Sequence, residues 1–155
     1  MQQPAGELVL VRMAGSRYAL PMSSVAEVGR PPRITRVPGL PAWVAGVANW
    51  RGRVLAVVDL RSLLGAPAGA GELDRRSRLV VLAHASTRVG LLVESVAGAA
   101  VPDVDAVEPV LAHLPGGTGA LLVGQVTDVD GPYGVLDLDA VMALSQTLPR
   151  ARRAG

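Results

Sequence analysis

The chain has 155 residues, half of them hydrophobic, with 15 basic against 13 acidic side chains for a formal net charge of +2, so it can bury a real core as one domain or two small half-domains. It has no cysteine, which excludes a disulfide framework, a thiolate nucleophile and any cysteine-based zinc or iron–sulfur site, and fits a reducing compartment. All 15 basic residues are Arg, so the pI of 9.9 reflects a titration curve that is flat between His and Arg, not a basic surface that would call for nucleic acid.

Phe is absent and aromatics make up 3% of the chain, so the core must be built from Val, Leu and Ala, and Val-rich runs favour strands. The amino terminus lacks a basic segment leading into an apolar one. No apolar run approaches the ~18–20 residues of a membrane span. The expectation is a cytoplasmic protein with no direct membrane insertion.

In chain order, Leu8 to Met13 and Tyr18 to Pro21 read as a hairpin turning at Gly15. Arg30-Pro-Pro-Arg33 and Val37-Pro-Gly-Leu-Pro41 cannot be central strands, because Pro lacks the ladder donor and restricts the residue before it. Trp43 follows in a short Pro-started turn and is expected to pack in the core. Val44 to Ala48 and Arg53 to Val58 read as strands sharing the polar tip Asn49-Trp50-Arg51-Gly52. Its amide, aromatic face and guanidinium suit protein recognition better than bond-breaking. Asp59-Leu60 ends the second strand, with Asp59 placed to cap the short helical pattern Arg61 to Leu64. Residues 65–78 read as a surface loop or linker. Leu79 to Ala85 and Val89 to Val93 form a second hairpin. His113 and Gly116-Gly-Thr-Gly119 read as loop, Asp128-Val-Asp130-Gly131-Pro132 as a hairpin turn, and Asp137 as the cap of a helical pattern Asp139 to Leu144. Residues 146–155 read as a flexible tail.

The two halves echo one another. Arg17 and Arg88, Ser24 and Ser95, and Val25 and Val96 are three pairs with one and the same spacing, and Gly46 precedes Asp59-Leu60 by the interval that separates Gly124 from Asp137-Leu138. An internal duplication accounts for hairpin, spacing and helix start recurring in one order. Many short hairpin-linked strands, twice repeated, predict an all-β architecture of two small barrels with short helices.

Catalytic constellations do not assemble. His84 and His113 are the only histidines and have no ligand cluster nearby. The Asp128/Asp130 pair begins like a calcium loop, but Pro132 and Tyr133 stand where an acidic ligand and a Gly belong. Gly116-Gly-Thr-Gly119 lacks the Lys of a phosphate loop, since the chain has none, and no Ser sits in a Gly-x-Ser-x-Gly elbow. Two Trp and two Tyr are scattered, without the basic aromatic groove that nucleic acid needs. No enzyme activity, cofactor, metal or nucleic acid is expected.

The run Gly46-Val-Ala-Asn-Trp-Arg-Gly-Arg-Val-Leu-Ala-Val-Val-Asp-Leu-Arg61 resembles the signature of CheW-like chemotaxis coupling domains. Tyr18-Ala-Leu-Pro, Val25-Ala-Glu27-Val28, Ile34-Thr-Arg-Val-Pro38 and Val89-Gly-Leu-Leu-Val-Glu-Ser-Val96 are similar to the family's layout on either side. The resemblance spans residues 7–145 and implies one CheW-like domain of two SH3-like five-stranded β-barrels, the first mainly 20–75 and the second mainly 79–145, with room for strand exchange near the termini. It implies a non-enzymatic adaptor that joins the cytoplasmic tip of a chemoreceptor to the regulatory domain of a CheA-like histidine kinase, recruited to membrane receptor arrays. The protein-binding residues it implies are Val25, Glu27, Gly46, Asn49, Trp50, Arg51 and Gly52. Glu27 and Arg51 are expected to face each other in a charge-assisted hydrogen bond. Trp50 departs from the family, which commonly has an aliphatic residue there, and would fill an inter-barrel gap or enlarge the contact surface. The alternatives are the same scaffold in a pilus, gliding or other non-flagellar pathway, a stand-alone binding module, and, more remotely, a small hydrolase using the Asp pairs.

Overall fold

The computed structural model describes residues 6–65, 73–84, 87–109 and 121–146. Residues 66–72 of the expected linker fall outside them, as do His113, the Gly116–Gly119 run and most of the tail. Eleven strands carry the described fold: β1 Leu8–Met13, β2 Ser16–Pro21, β3 Val25–Gly29, β4 Ile34–Thr35, β5 Val44–Trp50, β6 Arg53–Val58, β7 Arg78–His84, β8 Thr87–Val93, β9 Ser95–Ala100, β10 Leu122–Asp128 and β11 Gly131–Leu136. One helix, α1, spans Leu138–Gln146. The strands form a five-stranded sheet in the order β10-β11-β2-β1-β9 and a six-stranded sheet in the order β3-β7-β8-β6-β5-β4. The all-β, SH3-like architecture expected from the sequence is therefore present, as two open sheets instead of two closed five-stranded barrels.

The duplication is visible bond by bond. The β5–β6 hairpin pairs Gly46 with Val57, Ala48 with Leu55 and Trp50 with Arg53. The β10–β11 hairpin repeats that register in the second half, pairing Gly124 with Val135, Val126 with Tyr133 and Asp128 with Gly131. The β1–β2 hairpin, with Met13 opposite Ser16, recurs as β7–β8, with His84 opposite Thr87. Even the bulges recur, between Val25 and Glu27 where β3 meets β7 and at the matching place where β9 meets β1. Each of these hairpins sits in the sheet built by the other half. Residues 78–93 pair with β3 and β6, while the amino-terminal hairpin pairs with β9 and β11.

Strand periodicity explains where the apolar residues go. On β1, Leu8 and Leu10 face a small cluster with Ala19, Val126, Tyr133 and Val135, while Val9, Val11 and Met13 face the other way into the large cluster between the sheets. On β7, Leu79 and Val81 join Ala48, Leu55, Val57 and Leu92, while Val80 and Leu82 enter the shared cluster. Burial on both faces is why these strands read as unbroken apolar runs. Helix α1 closes the shared cluster with Leu138, Val141 and Met142, and Asp137 caps it by accepting the Ala140 N–H at 3.2 Å. Asp59 does the same for the turn that follows β6, accepting the Arg61 N–H at 3.1 Å. Trp43 is half-buried against the shared cluster, as expected.

Gly46 and Gly124 hold equivalent bulges for one physical reason: a neighbouring backbone carbonyl lies where a Cβ would go. At Gly46 that carbonyl belongs to Thr35 of β4, and the backbone sits at φ 145. At Gly124 the carbonyl of Glu108 would stand 2.8 Å from the Cβ, held there by the paired backbone hydrogen bonds between Glu108 and Gln125. Gly46→Ala must distort both the carbonyl contact and the φ angle, and should lower stability by roughly 2–4 kcal/mol. Gly124→Ala meets the Glu108 carbonyl and the movable Val107 side chain without a left-handed φ and should cost less, a ranking that denaturant unfolding of the two variants would check.

Candidate functional site

The β5–β6 tip is a two-residue turn in which Arg51 and Gly52 adopt φ 50 and φ 81, the mirror-image turn that matches the twist of a hairpin. A left-handed Arg is uncommon and needs support from its surroundings. That support is local. Asn49 Oδ1 accepts the Gly52 N–H at 3.0 Å, and the Arg51 guanidinium reaches across to β3, where its Nε lies 2.8 Å from Glu27 Oε1. The second Glu27 oxygen accepts the indole N–H of Trp50 at 2.6 Å. Arg51 Cζ stands 6.0 Å from the Trp50 ring centroid, at the outer range of a cation–π contact. One carboxylate thus orients both the guanidinium and the indole of the tip.

Trp50 does not fill a gap between the barrels. It packs on the apolar cluster of its own sheet, lying so close over β3 that a Cβ on Gly29 would meet its ring at 2.5 Å. Tip, β3 and β8 enclose a groove of about 400 Å³, floored by Leu55 and Val81 and edged by Glu27, Arg51, Arg53 and Arg88. Of the residues named from the sequence, the structure brings together Glu27, Asn49, Trp50, Arg51 and Gly52. It does not bring Val25, which packs against the shared core, or Gly46, which serves the bulge beside β4. Missed by that reading were Arg53 and Arg88.

The second tip, β10–β11, is clamped by other means. Arg17 on β2 is 8% exposed and grips Asp128 with two bonds, Nη1 to Oδ2 at 3.1 Å and Nη2 to Oδ1 at 2.7 Å. Nη2 also donates to the Gly131 carbonyl at 2.7 Å, and the guanidinium lies 5.4 Å from the Tyr133 ring centroid. The turn read at Asp128–Pro132 is present, with Asp128 Oδ1 accepting the Asp130 N–H at 2.8 Å. The clamp itself went unread: the repeat spacings mark Arg17, paired with Arg88, but not Asp128. Hydrogen bonding from Arg17 holds the Asp128 carboxyl below its ordinary value, and the Arg17 value is raised by the same bond against the opposing effect of burial. Burial pushes the Tyr133 hydroxyl up. The two tips are built with reversed polarity, the first with carboxylate on the body strand and Arg at the turn, the second with Arg on the body strand and carboxylate at the turn.

A family model of the CheW-like domain matches residues 7–146. Similar proteins include PilI of Pseudomonas aeruginosa, 41% identical over 56% of this chain and 48% of that protein, and CheW of Bacillus subtilis, 34% identical over 57% of this chain and 56% of that protein. FrzA of Myxococcus xanthus is 32% identical over 70% of this chain and 68% of its own length. The matches thus span about half the length of the first two relatives. The fold is shared with the scaffolding protein TtCheW of Thermoanaerobacter tengcongensis, with a TM-score of 0.75 at 24% identity over 89% of this chain and 87% of that one.

Substitutions at the tips should separate packing from surface charge. Trp50→Ala should cost about 2 kcal/mol or more, because it uncovers an apolar cluster, whereas Arg51→Ala should cost less than about 1 kcal/mol, its side chain being 74% exposed; urea unfolding would rank them. For Asp128, a folded value below the unfolded one of about 3.9 means that its stabilisation is complete above that value and lost as pH falls through the lower folded value. Asp128→Asn should therefore lower the melting temperature at neutral pH and flatten its fall in acid, as thermal scans across pH would register.

Proposed function

Because the chain belongs to the CheW-like domain family, we propose that this scaffold-type adaptor couples the cytoplasmic tip of a chemoreceptor to the regulatory domain of a CheA-like histidine kinase. The observation that carries the reading is the match of the family model over residues 7–146, and the β5–β6 tip supplies a physical basis for it. A turn locked by Asn49, Arg51 and Glu27 presents a guanidinium and an indole in one orientation, so little ordering entropy remains to be lost on docking. Residues 7–145 act as one CheW-like domain, and the partner surface comprises Glu27, Asn49, Trp50, Arg51 and Gly52, with Val25 and Gly46 shaping it from behind. The protein works without catalysis or cofactor, in the cytoplasm at membrane receptor arrays. Among the described residues no helix is long and apolar enough to cross a membrane.

The same adaptor serving a pilus, gliding or other non-flagellar output is a second reading. It is favoured by the similarity to PilI and FrzA alongside the chemotaxis proteins and by Trp50 at the tip. Receptor choice, not mechanism, separates the two.

Pull-downs with a purified receptor hairpin fragment and a kinase regulatory domain should recover both with the native chain. Arg51→Glu, which sets a carboxylate against Glu27, should reduce receptor capture at least fivefold and leave kinase capture intact. Full receptor capture by that variant would overturn the assignment of the tip.

A further inference from the structure

The duplication relates every residue around one tip to a residue around the other. Trp50 opposite Arg53 corresponds to Asp128 opposite Gly131, so Trp50 occupies the place of Asp128, and by the same register Leu55 occupies that of Tyr133. In the other pair of hairpins, Arg88 opposite Ala83 corresponds to Arg17 opposite Arg12, so Arg88 on β8 occupies the place of Arg17 on β2. The parallel ladders that join these pieces keep register, with Val135 opposite Ala19 in one sheet and Val57 opposite Gly90 in the other. Arg88 therefore stands by the first tip as Arg17 stands by the second.

Their circumstances differ in partner and in burial. Arg17 has a carboxylate to grip, whereas the residue equivalent to that carboxylate is Trp50, whose indole N–H is bonded to Glu27. The side chains of Arg88 and Arg53 are exposed and make no hydrogen bond or ion pair among the described residues. The groove they edge thus holds three guanidinium groups and a single carboxylate, Glu27, already shared by Arg51 and Trp50.

We propose that Arg88 anchors an Asp or Glu side chain of the receptor segment that docks in this groove, a carboxylate supplied in trans where Asp128 is supplied in cis. This rests on the tip being the receptor surface, and it adds the chemistry of the contact. The planar fork of Arg matches a carboxylate with two parallel bonds, and the Arg17–Asp128 pair shows that this scaffold position can deliver that geometry. Arg53 adds positive potential at the mouth, which speeds encounter with an acidic segment more than it tightens the complex. Leu55 and Val81 form the apolar floor that excludes water once the partner seats.

Calorimetric titration with a chemoreceptor hairpin fragment tests the proposal. Arg88→Glu should weaken binding at least tenfold and Arg88→Lys by less, native binding should fall with added salt, and one Asp→Arg or Glu→Arg change in the fragment should restore binding to the Arg88→Glu chain. Arg88→Gln, which removes the charge without reversing it, should also weaken binding and serves if the reversed charge impairs folding. Native-strength binding by Arg88→Glu, or by Arg88→Gln, would overturn the carboxylate site and leave the adaptor reading standing. A loss that no acidic-to-basic change in the fragment restores would also overturn it. No binding of the fragment by the native chain would sink the adaptor reading and this one together.

Discussion

Two hairpins buried on both faces hold this molecule together. On β1 and β7 successive residues alternate between a sheet's own cluster and the cluster shared by both sheets, so Leu8 and Leu79 face one way and Val9 and Val80 the other. Neither hairpin can be withdrawn without opening two cores. This forces the cross-over seen in the sheets, where the amino-terminal hairpin lies with β9, β10 and β11 and the central hairpin with β3, β5 and β6. Residues far apart in the chain become obligate neighbours, which ties the two halves into one cooperative unit.

Such a frame leaves the hairpin tips free to diverge, because they project from the cores. The second tip was stabilised inward, by a nearly covered Arg17 that satisfies Asp128 and the Gly131 carbonyl and stacks near Tyr133. The first was turned outward. Its carboxylate stands on the body strand as Glu27, a guanidinium stands at the turn as Arg51 in solvent, and an indole takes the place of the acid. Geometry at this tip comes from short hydrogen bonds, with little net stability expected from an exposed ion pair. That division lets the tip residues change while the glycine bulges and double-faced hairpins keep the fold.

Much of this was readable in the residues. Short apolar runs and Gly15 located the first hairpin, the Pro segments marked the excursions around β4, and Asp59 and Asp137 marked the helical caps. These are local effects, settled by a few neighbours along the chain. The Glu27–Arg51 contact came from the family resemblance, and the structure joins the two at 2.8 Å. Trp50 was harder, because an aromatic at a tip can equally face a partner, the other barrel or its own sheet, and only the absence of a side chain on Gly29 opens the space it lies in.

By itself the sequence determined the strand pattern, the twofold repeat and the polar tip, because each depends on residue type and short-range spacing. The tertiary structure decided which hairpin completes which sheet, that Gly46 serves a backbone carbonyl and not the tip, and that Arg17 has its acid while Arg88 faces an open groove. Those outcomes depend on contacts between residues as far apart as Arg17 and Asp128. Pairing at that distance is set by burial in two cores at once, which no local stretch of chain encodes.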